Sequence, residues 1–526
     1  MKPTVIKDKK NGLNRRELMK TAGGAAFGLA ASGLILPRAA HAAVKGGHLR
    51  VGLSQGTTSD SVVPGSYDQG FLILMSYTMH GKMTVVGSDN QLHGDLAESW
   101  EGSDGAKVWT FKLRDAEFHN GKKVQAKDVI ASLNFHRGED STSAAKPIVA
   151  NIKDIKADGT DTVIFTLNTG DADFPYILND YQLCIGMAGD DGKIDWTDDG
   201  SRAGPYKLAK FQPGIKATYE RAENHWNSET GHLDSCDVFV ISDTNARQNA
   251  ILTGEVDVID NPDVRTMDML AMKPNITVEE APGFRFYGFT MFVDTAPYDN
   301  NDLRLALKYG VDREAMLDVA LLGHGVVGND NPITPSYRYH NKELEQRTYD
   351  PDRAKHHLKK AGFDSIDLDL STSTAAFGTA VDAAIMYKSN LEAANINLNV
   401  INEAADSYWS NVWLKKPFIT TDWSGRATED LMFSVMFKDD APWNDTHWGH
   451  DRFQKLLLDA RAELNEELRA EMYGEMQTIL TNEGGLVAPV IPNNIWAFDN
   501  KVAHAPEMST TAQLDGYHFI SRWWIA

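Results

Sequence analysis

GDLAESWEGSDGAKVWTFKLRDAEFHNGKKVQAKDVIASLNF, residues 94–135, is the stretch on which the fold turns. It opens with a short helix-like run ending in Trp100 and passes through the polar turn Glu101-Gly-Ser-Asp-Gly-Ala106. Val108, Thr110 and Lys112 then alternate with Trp109, Phe111 and Leu113, the period-2 pattern of a strand with one buried face. A second turn at Asn120-Gly121 leads into a helix that begins near Ala126 and Asp128, with Val129, Ile130 and Leu133 on its apolar face. Periodicity alone makes this an α+β unit with clear punctuation.

The motifs say more. Ala97 to Trp100, Thr110 to Arg114, Phe118-His119-Asn120-Gly121 and Ala126-Lys-Asp-Val129 follow one another with their turns in place. Together they resemble the signature region of the family 5 solute-binding proteins of ABC importers, the dipeptide, oligopeptide, nickel and opine receptors. Further along, Gly204-Pro-Tyr-Lys-Leu208, Asp302-Leu-Arg-Leu-Ala-Leu307, Val311-Asp-Arg313 and Tyr349-Asp-Pro-Asp-Arg-Ala-Lys355 resemble other elements of that family. The resemblance implies an α/β fold of the periplasmic-binding-protein type II kind, two lobes with a hinge plus an extra small domain. It assigns 43–90, about 205–305 and 495–526 to domain I, 91–204 to domain II, and 306–494 to domain III, the ligand-closing lobe.

The ends and the composition point the same way. Residues 1–42 read as a targeting segment: Asn14-Arg15-Arg16-Glu17-Leu18-Met19-Lys20 resembles a twin-arginine motif, and Ala40-His41-Ala42 is an A-x-A cleavage site. The run Thr21–Leu36 between them is shorter than the ~20 apolar residues a membrane span needs. No Cys stands at the cleavage site, so the expectation is a periplasmic protein without a lipid anchor. The first 42 residues hold eight Lys/Arg against two Asp/Glu, so removing them takes the net charge from −21 to −27. So acidic a chain repels nucleic acid and anionic lipid, and excludes both as partners. Its 526 residues suffice for several domains with full cores. Cys184 and Cys236 are the only cysteines, and spacing leaves their pairing open.

Strands are expected at His48–Leu53, Ile152–Ile155, Thr162–Leu167, Asp237–Ile241, Val256–Ile259, Pro282–Tyr298 and Ser365–Ser371. Helices are expected at Asp68–Met79, Asn245–Thr253 with Gly254 after its end, Tyr349–Gly362 and Ala380–Ala394. Asp451–Thr481 reads as one long helix or two closely joined.

Candidate chemistry is sparse. Gly52-Leu-Ser54-Gln-Gly56 spells the G-x-S-x-G of a nucleophile elbow, but the loop Thr57–Pro64 after it lacks the helix that motif needs. His447/His450 and His356/His357 are imidazole pairs with no convergent third ligand in sequence, so no metal and no cofactor is expected. The informative place is Trp423-Ser424-Gly425-Arg426-Ala427-Thr428-Glu429-Asp430. In peptide-binding members of the family, a Trp here is followed three residues on by an Asp that pairs with the peptide's α-ammonium. This sequence keeps Trp423 and puts Arg426 in the Asp position, which reverses the charge.

A guanidinium suits a carboxylate or phosphate through two parallel hydrogen bonds and repels an ammonium. Two readings follow: Arg426 anchors an anionic group of an opine-like or acidic ligand, or it pairs internally with Glu429 or Asp430. Trp409, Trp413, Trp423, Trp443 and Trp448 crowd one region, and three of them (Trp409, Trp423, Trp443) are taken as ligand-lining. Tyr287 and Phe289, on one strand face, Thr58 and Ser59, in the first-domain loop, and Glu429 and Asp430, just after Arg426, complete the expected lining. The function expected is a monomeric, non-enzymatic receptor. It binds a small organic solute, a short peptide, modified amino acid or opine-like anion, for an inner-membrane ABC permease. The alternatives are an exported hydrolase using Ser54, or a ligand sensor or chaperone without a transport role.

Overall fold

The structure, a computed structural model, describes residues 43–526; the targeting segment expected at 1–42 lies outside them. Strand β1 (His48–Leu53) starts the main sheet, and helix α1 (Gly70–Met79) packs beside it. The chain then leaves for a small antiparallel sheet made of β2 (Ala97–Ser103), β3 (Val108–Leu113), β4 (Ile152–Asp158) and β5 (Thr162–Leu167), in the order β2-β3-β5-β4. Helix α2 (Ala126–Phe135) covers one face, its N-terminus closed by a capping box between Gln125 and Asp128.

The run Ala97–Trp100, expected to be helix-like, is strand. Trp100 lies opposite Phe111 in the ladder and stacks on it, with ring centroids 6.1 Å apart. Ala, Glu and Ser favour a helix weakly, and this cross-strand aromatic pair outweighs them.

Strands β6 (Tyr206–Gln212), β7 (Lys216–Arg221) and β8 (Ser235–Val240) return the chain to the main sheet. There β8 pairs in parallel with β1, His48 opposite Ser235 and Leu53 opposite Val240. Helix α3 (Thr244–Leu252) ends at Gly254, whose φ of +74° is the left-handed turn that glycine adopts without strain. Next come β9 (Val258–Asp260), β10 (Ile276–Pro282) and β11 (Phe286–Met291), so the strand expected over Pro282–Tyr298 is shorter, beginning at Phe286 and ending at Met291, with β10 closing at Pro282 before it.

A second layered region follows: α4 (Arg313–Leu321), α5 (Pro351–Lys360), β12 (Ile366–Thr372), α6 (Ala380–Glu392), β13 (Ile396–Asn402) and β14 (Phe418–Trp423). Helices α7 (Glu429–Met436), α8 (Asp451–Ala462) and α9 (Glu466–Glu483) cover its other face. The long helical stretch divides because Asn465 caps α9, accepting from Glu467 N and Leu468 N.

One strand joins the halves. The fourteen residues of β15 (Leu486–Asp499) pair through their first part with β11 and through their last part with β9 and β10. Twelve strands thereby form one hydrogen-bonded series. Separate cores lie on either side: Leu49, Phe71, Tyr206, Val238 and Trp523 in the first half, Leu307, Leu370, Tyr387 and Phe418 in the second.

The small sheet also meets the second half directly. Asp173, buried at the start of the turn Phe174–Ile177, receives Arg338 and Arg469, each at 2.8 Å. The Arg338 guanidinium lies between the rings of Tyr176 and Tyr339, 4.4 and 4.2 Å from their centroids. Ala172 N donates to Arg461 O at 2.7 Å, and Arg461 pairs with Asp430 at 3.0 Å. Burial, with Asp173 and Asp430 nearby, pushes the Asp171 carboxyl up to about 7.

Removing Asp173 strands two cations. Asp173→Ala is therefore expected to lower unfolding free energy by about 3–5 kcal/mol in urea titration. Asp171 holds a proton in the folded chain that the unfolded chain releases, so its contribution to stability is full below about pH 4 and is lost as pH rises to about 7. Asp171→Asn should melt higher than wild type at pH 8, the gap closing toward pH 4.

Candidate functional site

Strand β14 ends at Trp423, and helix α7 begins after Thr428, whose hydroxyl caps it by accepting from Leu431 N at 3.3 Å. The four residues between must turn tightly against β11. A Cβ on Gly425 would sit 1.9 Å from the Cβ of Phe284, so only glycine fits. This turn aims Arg426. Its backbone N donates to Tyr337 Oη at 3.0 Å, and one guanidinium nitrogen donates to the carbonyls of Ser424 (2.9 Å) and Gly425 (3.1 Å). The guanidinium carbon is 5.9 Å from the Trp423 ring centroid.

Among the described residues no carboxylate lies within 4 Å of Arg426. The internal pairing weighed from sequence is thus not made. Glu429 is buried and accepts from Tyr339 N, while Asp430 turns inward to Arg461. Both belong to the helical layer and its junction with the small sheet, and neither faces Arg426, which corrects their expected place in the lining. The neighbouring Asp422 is committed to Arg285, whose Nε donates to it at 2.7 Å. Partial burial pulls the Arg426 pKa down, yet a guanidinium stays protonated in any protein. A positive charge held only by backbone dipoles stands at this position.

Four indoles gather beside it. Trp413 is central, its centroid 5.9 Å from Trp409, 6.2 Å from Trp423 and 6.0 Å from Trp443, all edge-to-face. Trp409 and Trp443 are 42% and 48% exposed. Behind them lies Asp445, which solvent does not reach: its Oδ2 accepts from Trp423 Nε1 (2.9 Å), Trp413 Nε1 (3.1 Å) and Thr421 Oγ1 (3.3 Å). Burial pushes this carboxyl up to about 6 against the pull of those three donors. Sequence reasoning passed over Asp445 because its partners sit 22 to 32 positions upstream.

The other expected residues lie apart. Tyr287 and Phe289 share a face of β11, opposite to that of Phe286, which pairs with Trp423. Phe289 is 1% exposed and packs on Tyr387 inside the core, so it is a packing residue and not lining. Tyr287 is half-buried and stacks on Phe377 at 4.1 Å. Thr58 and Ser59 are exposed in the loop after β1, where the Ser59 and Thr57 hydroxyls are 2.8 Å apart.

Ser54 donates to Asp260 Oδ2 at 2.6 Å, and no imidazole joins it among the described hydrogen bonds. The chain beyond it bends through a loop into the single turn Pro64–Ser66, so the strand-turn-helix of a nucleophile elbow is absent there. His447 stacks on Phe292 and pairs with Asp294, His450 caps α8, and His357 pairs with Asp302. No group of three metal-capable side chains occurs among the described residues. Cys184 and Cys236 are buried and unbridged.

Comparison with known proteins defines the class. The family model described as bacterial extracellular solute-binding proteins, family 5, middle region, matches residues 91–445. The chain belongs to that family. Heme-binding protein A of Haemophilus influenzae is 25% identical over 446 residues, 76% of this chain and 78% of its own. A dipeptide-binding protein of Escherichia coli is 24% identical over 448 residues, 76% and 80% of the two chains. Among solved structures, HbpA2 from Haemophilus parasuis superposes with a TM-score of 0.81 at 18% identity, over 91% of this chain and all of its own. A nickel ABC transporter protein from Bacillus halodurans gives 0.77 at 22%, covering 89% and 99%. The fold is that of the type II periplasmic binding proteins, and the protein is a solute-binding component of the ABC-importer kind. Family 5 proteins work outside the cytoplasm, and no described helix is long and apolar enough to cross a membrane.

Gly425→Ala tests how tightly the turn is built. Its added methyl must displace β11, so a loss of 1–3 kcal/mol or more is expected in denaturant titration.

Proposed function

We propose that this protein is a monomeric periplasmic receptor that captures a small organic anion and delivers it to an inner-membrane ABC permease. The observation carrying this reading is Arg426, a cation beside Trp423 with no carboxylate partner. A ligand carboxylate or phosphate supplies the missing charge through two parallel hydrogen bonds, whereas a peptide α-ammonium is repelled. Apart from strand β11, which pairs with β14 and β15 and moves with the closing lobe, residues 43–90, 205–305 and 495–526 form the first lobe, with 91–204 attached, and 306–494 the closing lobe. Closure around the ligand is driven by its preference for the closed form, and no chemical step is involved. Export through a twin-arginine signal brings the protein to the periplasm already folded.

The test is calorimetry with N-acetylglycine, an anion lacking a free amine, against alanyl-alanine. N-acetylglycine is expected to bind and the dipeptide to bind weakly or not at all. Arg426→Ala should weaken the anion about 30-fold, roughly 2 kcal/mol, with little change in melting temperature. Equal binding of the dipeptide by wild type and variant would return Arg426 to a structural role.

A further inference from the structure

Packing does not account for the exposed aromatic surface of the indole cluster. Trp409 and Trp443 are the two tryptophans more than a third exposed among the described residues, and both belong to the four-indole cluster. Each is gripped from behind. Tyr408, next to Trp409, is anchored by its hydroxyl on Thr420 O, while Trp443 abuts both Trp413 and Trp423. Asp445 takes both N–H groups of those two inner indoles on one oxygen, adding a fixed direction to the packing that already buries Trp423. Its other oxygen meets no donor. Indole N–H groups are donors only, so converging two of them on a single point requires an acceptor there. Three donors on one oxygen and none on its twin make an arrangement that favours ring position over carboxylate satisfaction. An open recess of about 410 Å³ borders Trp443, lined also by Val435, Lys438 and Pro442, and is roomy enough for a ring.

We infer that Asp445 is a positioning residue that locks Trp413 and Trp423, so that Trp409 and Trp443 stand as a fixed aromatic wall beside Arg426 and receive a flat ring carried by the anionic ligand. The inference rests on the reading of Arg426 as the anion anchor and names the ligand class more narrowly: a ring-bearing carboxylate or phosphate. A rigid indole loses little freedom on contact, and preorganised offset or edge-to-face stacking selects planar rings over aliphatic groups of similar area.

Hippurate and N-acetylglycine share the amide and carboxylate and differ only in phenyl against methyl, which makes them the probes. Calorimetry on the purified protein should show hippurate binding about tenfold tighter or more. Trp443→Ala and Trp409→Ala should bring the ratio of hippurate to N-acetylglycine affinity toward one. Asp445→Asn, which keeps an acceptor oxygen for both indoles, should stay within about threefold of wild type. Asp445→Leu should lose the ring preference, and Trp413→Phe, which keeps a ring but removes one N–H, should weaken it if the leucine variant does not fold. A purely structural Asp445 would lower the melting temperature in these variants and leave the hippurate to N-acetylglycine ratio intact, which would overturn the positioning role. Equal binding of both probes would overturn the wall while leaving the anchor standing. Ring preference that survives while Arg426→Ala changes nothing would remove the anchor instead. Binding of neither probe at millimolar concentration would overturn both.

Discussion

Strand β15 is the constraint on which the architecture depends. Its fourteen residues hydrogen-bond to β11 at one end and to β9 and β10 at the other, so the two halves share a single backbone ladder. A strand so paired cannot slip in register without turning every buried side chain outward. Near one end Ala488 and Ile491 bury in the core under the helical layer and Val490 in the core under α6; near the other Trp496 and Phe498 bury in the core of the first half and Ala497 in a small core beside β9. The half-buried middle, Pro492 to Asn494, is where the two sets part. A connection of this kind transmits position and permits bending, which is what a receptor that closes over a ligand needs.

Charge organises the rest. At the junction between the small sheet and the helical layer, Arg338, Arg461 and Arg469 meet Asp171, Asp173, Glu429 and Asp430, a buried group in which carboxylates outnumber cations. Burial raises the carboxyls of Asp171, Glu429 and Asp430 above the usual range, Asp171 to about 7. Arg426 is the opposite case. Only Ser424 and Gly425 carbonyls satisfy it, and of the carboxylates three and four residues on, Glu429 accepts from Tyr339 N and Asp430 pairs with Arg461. Arg304 is likewise held by the carbonyls of Tyr298 and Glu483 alone, so what sets Arg426 apart is its place beside Trp423 and the exposed indoles.

Much of the fold was legible because its signals are local. Alternation over Val108–Leu113, the strand over Thr162–Leu167, the turn at Gly121 and the helix stop at Gly254 each depend on neighbours in sequence, and each forms where expected. Ala97–Trp100 misled because its helix propensity is intrinsic, whereas its strand is imposed by Phe111 across the ladder. The site was half legible. Charge reversal at Arg426 could be read against the family pattern, but whether Glu429 or Asp430 answered it could not, since that depends on Arg461 and Tyr339, far away along the chain. Tyr287 and Phe289 do share a strand face; that the face meets α6 and not the indoles is decided by the second layer. Asp445 carried no signal of its own, because an acidic residue between Asn444 and Thr446 reads as loop until Trp413 and Trp423 are seen to converge on it.

The central claim, that Arg426 holds the anionic group of a captured solute, is tested most directly by native and then denaturing mass spectrometry of protein purified gently from its own organism. Enclosed ligands leave such receptors slowly, and denaturation releases them for identification. The account predicts a small ring-bearing organic anion without a free α-amine near its anchored end. A dipeptide with a free amine, bound in stoichiometric amount, would contradict it.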